Sequence, residues 1–227
     1  MSHPVMLFAA GLGTRMATLT ATRPKPLIPV AGRALIDHAL DQVADAEPIV
    51  VNLHYRPDQI RAHLAQRPDI RFSAETDTIL ETGGGLKLAL PLLGAGPVFT
   101  LNTDAVWTGP KALGQLAAAW DGARMDALLL LVPRARAVGH TGAGDFLMDA
   151  DGRLTRGPGL VYSGAQILRT EGLADIDDPV FSLNRLWNRM LAAGRLFGLV
   201  HPGGWCDVGR PECIPLAEQM LREAGDV

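Results

Sequence analysis

The stretch Val5-Met6-Leu7-Phe8-Ala9-Ala10-Gly11-Leu12-Gly13-Thr14-Arg15-Met16 joins a short apolar run to a glycine-rich loop. Val5 to Ala10 is continuous, apolar and followed by glycines, which is the pattern of a buried strand. Glycines behind such a strand let the backbone turn with positive φ and bring N–H groups close to a ligand, so the loop can hold an anion. The loop matches neither G-x-G-x-x-G nor a P-loop ending in Gly-Lys-Ser/Thr. Taken alone, a tight strand-to-helix turn explains it equally well.

Outward from this loop, apolar strands alternate with amphipathic helices. Leu35 to Ala46 sets Leu35, Ile36, Ala39, Leu40 and Val43 on one helical stripe, and Pro48 leads into a strand over Ile49 to Leu53. Pro57 to Ala65 reads as helix, Ile70 to Phe72 as strand, Thr82 to Leu93 as helix and Val98 to Asn102 as strand. This alternation predicts an α/β fold, with a Rossmann-like, mainly parallel central sheet flanked by helices. Beyond Asp104 come a helix (Pro110 to Trp120), the most hydrophobic strand (Ala127 to Val132) and a loop-rich stretch from Arg134 to Gly164. Phe146 to Met148 and Leu160 to Tyr162 are strand candidates there, expected in a small antiparallel subregion. Ser182 to Ala193 reads as helix, Leu196 to His201 as strand and Pro211 to Ala224 as a closing helix. With no repeat and no linker, one domain over 1–227 is expected, with lobes of about 1–107 and 108–210 and the closing helix at 211–224.

Composition narrows the function class. The chain has 227 residues, 48% hydrophobic, 20% charged and 5% aromatic, an ordinary soluble profile with room for one good-sized core. A net charge of −3, with no run of Lys or Arg, gives no reason to expect a nucleic-acid partner. Met1-Ser2-His3-Pro4 lacks a charged n-region, and the apolar runs Val5 to Ala10 and Ala127 to Pro133 are too short for a signal or membrane segment. A cytoplasmic protein without membrane contact is therefore expected, with Cys206 and Cys213 as reduced thiols. His3, His38, His54, His63 and His201 have no H-x-x-x-H or H-x-H spacing, so a zinc site is not expected.

Three further stretches carry chemistry. In Thr22-Arg23-Pro24-Lys25-Pro26-Leu27-Ile28-Pro29-Val30, two prolines bracket Lys25 and stiffen the backbone that presents its ammonium. So close to a glycine loop, a phosphate partner suits Lys25 better than solvent does. Glu81-Thr82-Gly83-Gly84-Gly85 opens a helix, and consecutive glycines there are costly unless something must approach the backbone closely. Otherwise Thr82 simply caps and the glycines turn. Asn102-Thr103-Asp104 ends an apolar strand, the place where open parallel sheets bind ligands. Asp207, in Trp205-Cys206-Asp207-Val208-Gly209, follows the last strand and could add a second carboxylate. Magnesium takes such oxygens together with waters and substrate phosphates, although each aspartate alone could be an ordinary turn residue.

The combined motif A-A-G-L-G-T-R-M and T-R-P-K-P-L-I-P-V-A-G, over Leu7 to Gly32, resembles the signature of the sugar-1-phosphate nucleotidyltransferases that make nucleotide sugars. The whole chain resembles their short bacterial members, most of all the N-acetylmuramate α-1-phosphate uridylyltransferases. The resemblance implies the nucleotide-diphospho-sugar transferase fold, a nucleoside triphosphate (UTP) and a sugar 1-phosphate as partners, Mg2+ as cofactor, and a place in cell-wall recycling. By position, Ala10, Gly11, Gly13 and Thr14 would wrap the nucleotide, Arg15 would meet its β and γ phosphates, and Lys25 would neutralise phosphate at the reacting centre. Glu81, Thr82, Gly83 and Asn102 would line the base, though backbone groups there can serve several bases. Asp104 and Asp207 would hold the metal. Relatives more often carry Gly where Thr103 stands. His140-Thr141-Gly142-Ala143-Gly144-Asp145-Phe146 and Tyr162-Ser163-Gly164 resemble segments beside the sugar, which makes Gly144, Asp145 and Ser163 sugar-phosphate candidates. Other pairs in the family (mannose 1-phosphate with GTP, glucose 1-phosphate with UTP or dTTP) remain open, as does a non-catalytic, nucleotide-sugar-sensing relative. Arg15, Lys25 and both carboxylates are all present, which favours an enzyme, acting as a monomer or small homo-oligomer. The chain is too short for the added acetyltransferase domain of bifunctional relatives.

Overall fold

A computed structural model describes residues 3–43 and 45–226. Met1, Ser2, Ala44 and Val227, which the 1–227 unit and the 35–46 helix include, lie outside the described residues. In chain order the elements are β1 (Val5–Phe8), β2 (Pro29–Val30), β3 (Arg33–Ala34), α1 (Leu35–Leu40), β4 (Ile49–Leu53), α2 (Pro57–His63), β5 (Ile70–Ala74), α3 (Glu81–Leu93), β6 (Val98–Asn102) and β7 (Ala105–Trp107). Next come α4 (Ala112–Ala119), β8 (Ala127–Val132), β9 (Ala137–Val138), β10 (Phe146–Met148), β11 (Leu154–Arg156), β12 (Val161–Leu168), α5 (Asn184–Ala192), β13 (Leu196–Val200), β14 (Trp205–Asp207) and α6 (Cys213–Ala224).

Continuous apolar strands need cover on both faces, and this sheet has it. The large sheet runs β13-β8-β12-β6-β1-β4-β5, and every neighbouring pair is parallel except the two made by β12. Side chains alternate between two cores, as strand periodicity requires. Val5 and Leu7 of β1 pack with Ile36, Ile60 and Leu113 from α1, α2 and α4, whereas Met6 packs with Leu86 and Trp187 from α3 and α5. The fold is α/β with a mostly parallel central sheet between helical layers, plus small antiparallel sheets.

The segment after Tyr162 departs from expectation. Leu160 makes only a bridge to Phe146, and Val161 to Leu168 is not peripheral but a long strand in the middle of the large sheet, between β6 and β8. The small antiparallel hairpin is built by β10 and β11 instead. β12 escapes a hydrophobicity pattern because Ser163, Gly164 and Gln166 interrupt it. The register shifts between Tyr162 and Gln166, with Gly164 at φ 88°. Gln166 is fully buried because its amide donates to Thr100 Oγ1 at 3.0 Å and accepts the Trp187 indole N–H at 2.8 Å. The helix expected over 35–46 also ends early, at Leu40, and tightens into i→i+3 turns from Ala39 to Gln42 and from Leu40 to Val43.

A third sheet, ordered β7-β14-β9, brings the end of the chain beside the end of β6. A separate core of Met16, Ile28, Val106, Cys206, Ala217 and Leu221 seats α6 and the segment after the glycine loop against it.

The glycines opening α3 are required by packing. A Cβ on Gly83 would stand 2.3 Å from the Phe181 ring, one on Gly84 2.1 Å from the Pro179 carbonyl oxygen, and one on Gly85 2.7 Å from Glu75 Oε1. Gly84→Ala is therefore expected to destabilise the fold by about 1–3 kcal/mol. Gly114→Ala, inside α4 with nothing nearer than 3.9 Å, is expected to stabilise it by about 0.5–1 kcal/mol. Urea unfolding midpoints of the two variants check both signs.

Candidate active site

The start of the glycine loop is set by a polar pair, Asn52 on β4 and Glu75 just past the end of β5. Asn52 Oδ1 accepts the Ala9 N–H at 2.6 Å and the Ala10 N–H at 3.3 Å, which ends β1 at Phe8 rather than Ala10. Asn52 Nδ2 donates to Glu75 Oε1 at 2.6 Å, and Glu75 Oε2 accepts the Leu80 N–H at 2.8 Å. Both side chains are buried, and their hydrogen bonds make that burial tolerable. Among the described residues, the N–H groups of Gly11, Leu12 and Gly13 meet no protein acceptor, which leaves them open to an anion.

Lys25 and Asp104 meet across this loop. Lys25 Nζ lies 2.6 Å from Asp104 Oδ2, with side-chain exposures of 11% and 32%. Lys25 starts a tight turn over Lys25–Leu27 that its flanking prolines pre-shape. Gly13, at φ 64°, leaves room for it, since a Cβ there would stand 2.9 Å from the Lys25 Cβ. Thr103 holds the strand end in place, its hydroxyl donating to the Phe8 carbonyl at 2.7 Å.

Asp207 reaches the same place from β14, which pairs with β7 so that Asp207 lies opposite Ala105. The Val208 N–H donates to the Asp104 carbonyl at 2.9 Å. Burial first, and then the Asp104 carboxylate, push the Asp207 carboxyl above its ordinary range; Lys25, Arg15 and His140 oppose the shift. Two crowded carboxylates fit a small divalent cation that prefers oxygen. Among the described residues no group of three or more His, Cys, Asp or Glu could hold a metal, so an ion here would need oxygens from a substrate.

Two cavities flank this cluster. One of about 230 Å³ is lined by Ala10, Gly11, Lys25, Glu81, Thr82 and Asp104, among others. A second of about 410 Å³ lies towards Asp145, Tyr162 and Trp187, and Phe8, Thr82 and Asn102 line both. They adjoin at the carboxyl ends of β1 and β6, where parallel sheets place ligands. Glu81 holds φ 58°, a left-handed value uncommon outside glycine, at the wall of the first cavity.

Not every candidate from the sequence lies here. Ala10, Gly11, Lys25, Glu81, Thr82, Asn102 and Asp104 line the first cavity, and Asp145 lines the second. Gly13 shapes the turn, while Thr14 and Arg15 are exposed beside it. Gly83 is elsewhere: its N–H donates to the Phe181 carbonyl at 2.8 Å and its Cα packs under that ring. Ser163 is also diverted. It is 1% exposed, its hydroxyl proton goes to the Leu130 carbonyl at 2.5 Å, and it does not line the second cavity. Gly144, at φ 100°, packs against Gly159, and a side chain there would meet the Gly159 carbonyl oxygen at 2.4 Å. Thr82 does not cap α3; its hydroxyl accepts the Leu183 N–H at 3.0 Å.

Sequence reading missed Asn52 and Glu75, as well as Arg156, Asn184 and Trp187 in the second cavity. A signal existed for Asn52, a polar residue inside an otherwise apolar strand. The residues of the second cavity come from separate elements and share no local pattern.

Comparison with known proteins gives the family and the fold. The family profile described as the MobA-like NTP transferase domain matches residues 5–225. The chain is 46% identical to an N-acetylmuramate alpha-1-phosphate uridylyltransferase of Caulobacter vibrioides, covering 96% of this chain and 97% of that one. It is 34% identical to a protein of the same name from Neisseria meningitidis serogroup B, over 90% and 92% of the two chains. The crystal structure of HddC from Yersinia pseudotuberculosis complexed with GMP-PN shares the fold, with a TM-score of 0.77 at 22% identity over 96% of this chain and 98% of that one.

The raised pKa of Asp207 has a thermodynamic consequence. Ionising a group whose pKa rises on folding costs stability; the cost builds as pH climbs above the ordinary carboxylate value and is complete once pH passes the folded value. Asp207→Asn removes that cost. Melted in the presence of a chelator, the variant is expected to exceed the parent's Tm at pH 7. The margin should shrink as the pH falls towards the ordinary carboxylate value of about 4.

Proposed function

The chain belongs to the MobA-like NTP transferase family, and from that premise we propose that it joins UTP to N-acetylmuramate 1-phosphate, giving UDP-N-acetylmuramate and pyrophosphate. The observation that carries the reading is the meeting of Lys25, Asp104 and Asp207 beside a loop with open N–H groups. Likeness to two enzymes of that name along nearly their whole length supports the choice of uridine and of the muramyl sugar.

An oxygen of the sugar phosphate attacks the α-phosphorus, the bond from that phosphorus to the bridging oxygen breaks, and pyrophosphate leaves with the electron pair. The nucleophile is already an anion, so no general base is needed. The difficulty is bringing two anions together, which alignment and positive charge overcome. The amides of Gly11 to Gly13, with Arg15, take the triphosphate. Ala10, Glu81, Thr82 and Asn102 frame the base and ribose, and Lys25 offsets charge at the reacting phosphates. Asp145 faces the sugar. Asp104 and Asp207 would hold Mg2+, which when bound supplies positive charge to phosphate oxygens.

In this reading residues 1–227 act as one working unit in the cytoplasm, with the nucleotide held by about 1–107 and the sugar by about 108–210. Among the described residues no helix is long and apolar enough to cross a membrane.

Pyrophosphate release across nucleoside triphosphates and sugar 1-phosphates should be fastest for UTP with N-acetylmuramate 1-phosphate. A different best pair would overturn the substrate assignment. Lys25→Ala and Asp104→Ala are each expected to lower kcat about 10²–10³-fold with the fold retained by circular dichroism. Near-normal rates in either would remove the phosphate-clamp role.

A further inference from the structure

The second cavity holds a charge that nucleotidyl transfer itself does not use. Arg156 ends β11, opposite Phe146 in the hairpin register, and lines this cavity with Asp145, Tyr162, Asn184 and Trp187. Its guanidinium carbon lies 4.7 Å from the centroid of the Phe146 ring and 5.5 Å from that of Trp187. Nη2 donates to Asn184 Oδ1 at 2.5 Å, a neutral acceptor. Among the described residues no carboxylate comes within ion-pair distance of Arg156, and most of its N–H donors have no protein acceptor. Asp145 is near enough to favour the charged guanidinium, against the larger effect of burial. One oxygen of that carboxylate, Oδ2, already accepts the Tyr162 N–H at 2.8 Å.

An arginine held against aromatic rings with its donors open to a cavity is pre-organised for a planar anion, which it can bind in a forked, two-point fashion. The reacting phosphates belong with Lys25 and Asp104 in the first cavity, which Arg156 does not line. An anion meeting Arg156 is therefore a second one, carried on the body of the sugar. The cavity, at about 410 Å³, is within the usual range of small-molecule sites.

We infer that Arg156 binds a carboxylate substituent on the sugar and thereby selects an acidic sugar 1-phosphate over its neutral counterpart. This rests on the nucleotidyl-transfer reading above. N-acetylmuramate carries such a group, a lactyl ether, whereas N-acetylglucosamine is the same sugar without it. Arg156 stands exposed at the rim of the cavity with no carboxylate partner of its own, so an acidic sugar gives its guanidinium an anion and a neutral sugar does not.

The test is the ratio of kcat/KM for the two sugar 1-phosphates with UTP, measured on the full chain. The parent should prefer N-acetylmuramate 1-phosphate. Arg156→Gln, which keeps a hydrogen-bonding group but removes the charge, should lower that ratio about 10- to 100-fold, chiefly through KM for the acidic sugar. Arg156→Lys should recover part of it. A merely structural role would lower both sugars alike and leave the ratio unchanged, which overturns the inference. A parent that takes both sugars equally overturns it too, while leaving nucleotidyl transfer intact. A parent inert with both sugars and every nucleoside triphosphate removes the functional reading, and the inference with it.

Discussion

Lys25 and Asp104 lie 79 positions apart in sequence and 2.6 Å apart in space. Their ion pair closes the glycine loop onto the end of β6. The topology makes the meeting inevitable: β1 and β6 are parallel neighbours, with Phe8 beside Asn102, so the loops leaving both strands emerge at the same edge. Asp207 is delivered there by the pairing of β14 with β7. Two unit charges about 4 Å apart interact by about 4 kcal/mol at the effective dielectric of a protein surface. Crowded carboxylates are therefore a standing cost unless cations share the site. Lys25, Arg15 and His140 all act on Asp207 in that sense, yet burial and Asp104 still prevail. A site left short of positive charge by its own residues is suited to a divalent cation, and the cation to the phosphates that complete its coordination.

The surrounding shape rests on two buried polar devices. Asn52 and Glu75 tie the end of β1 to the entry of α3, so the start of the glycine loop and the wall formed by Glu81 and Thr82 share one hydrogen-bonded support. Gln166 does the corresponding work at the second cavity. By joining Thr100 of β6 to Trp187 of α5, it braces the second cavity through β12, the strand of the large sheet that runs against its neighbours. Each device is polar in a place where apolar packing would be simpler. In each, every polar side-chain atom has a hydrogen-bond partner, which makes the arrangement specific.

Much of this was legible in the residues. The alternation of apolar strands and amphipathic stripes specifies the α/β layers because each element's period is local. Lys25 between prolines and Asp104 at a strand end are also local signals, and both stand at the first cavity. What could not be read depends on distant partners. Ser163 resembles a ligand residue until the carbonyl of Leu130, 33 positions away, takes its hydroxyl. Gly83 suggests an approaching ligand, but the approaching group is the ring of Phe181. β12 is disguised by polar residues whose partners are Thr100 and Trp187, and Arg156 belongs to a cavity assembled from separate elements.

In the proposed reaction the sugar phosphate attacks the α-phosphorus at the Lys25–Asp104–Asp207 cluster. The most direct test uses N-acetylmuramate 1-phosphate labelled with 18O in its phosphoryl oxygens, mixed with UTP and the enzyme and monitored by 31P NMR. Such attack leaves an 18O bridge between the two phosphorus atoms of the UDP-sugar, together with unlabelled pyrophosphate. Label appearing in pyrophosphate, or release of UMP or UDP in place of the nucleotide sugar, would contradict it.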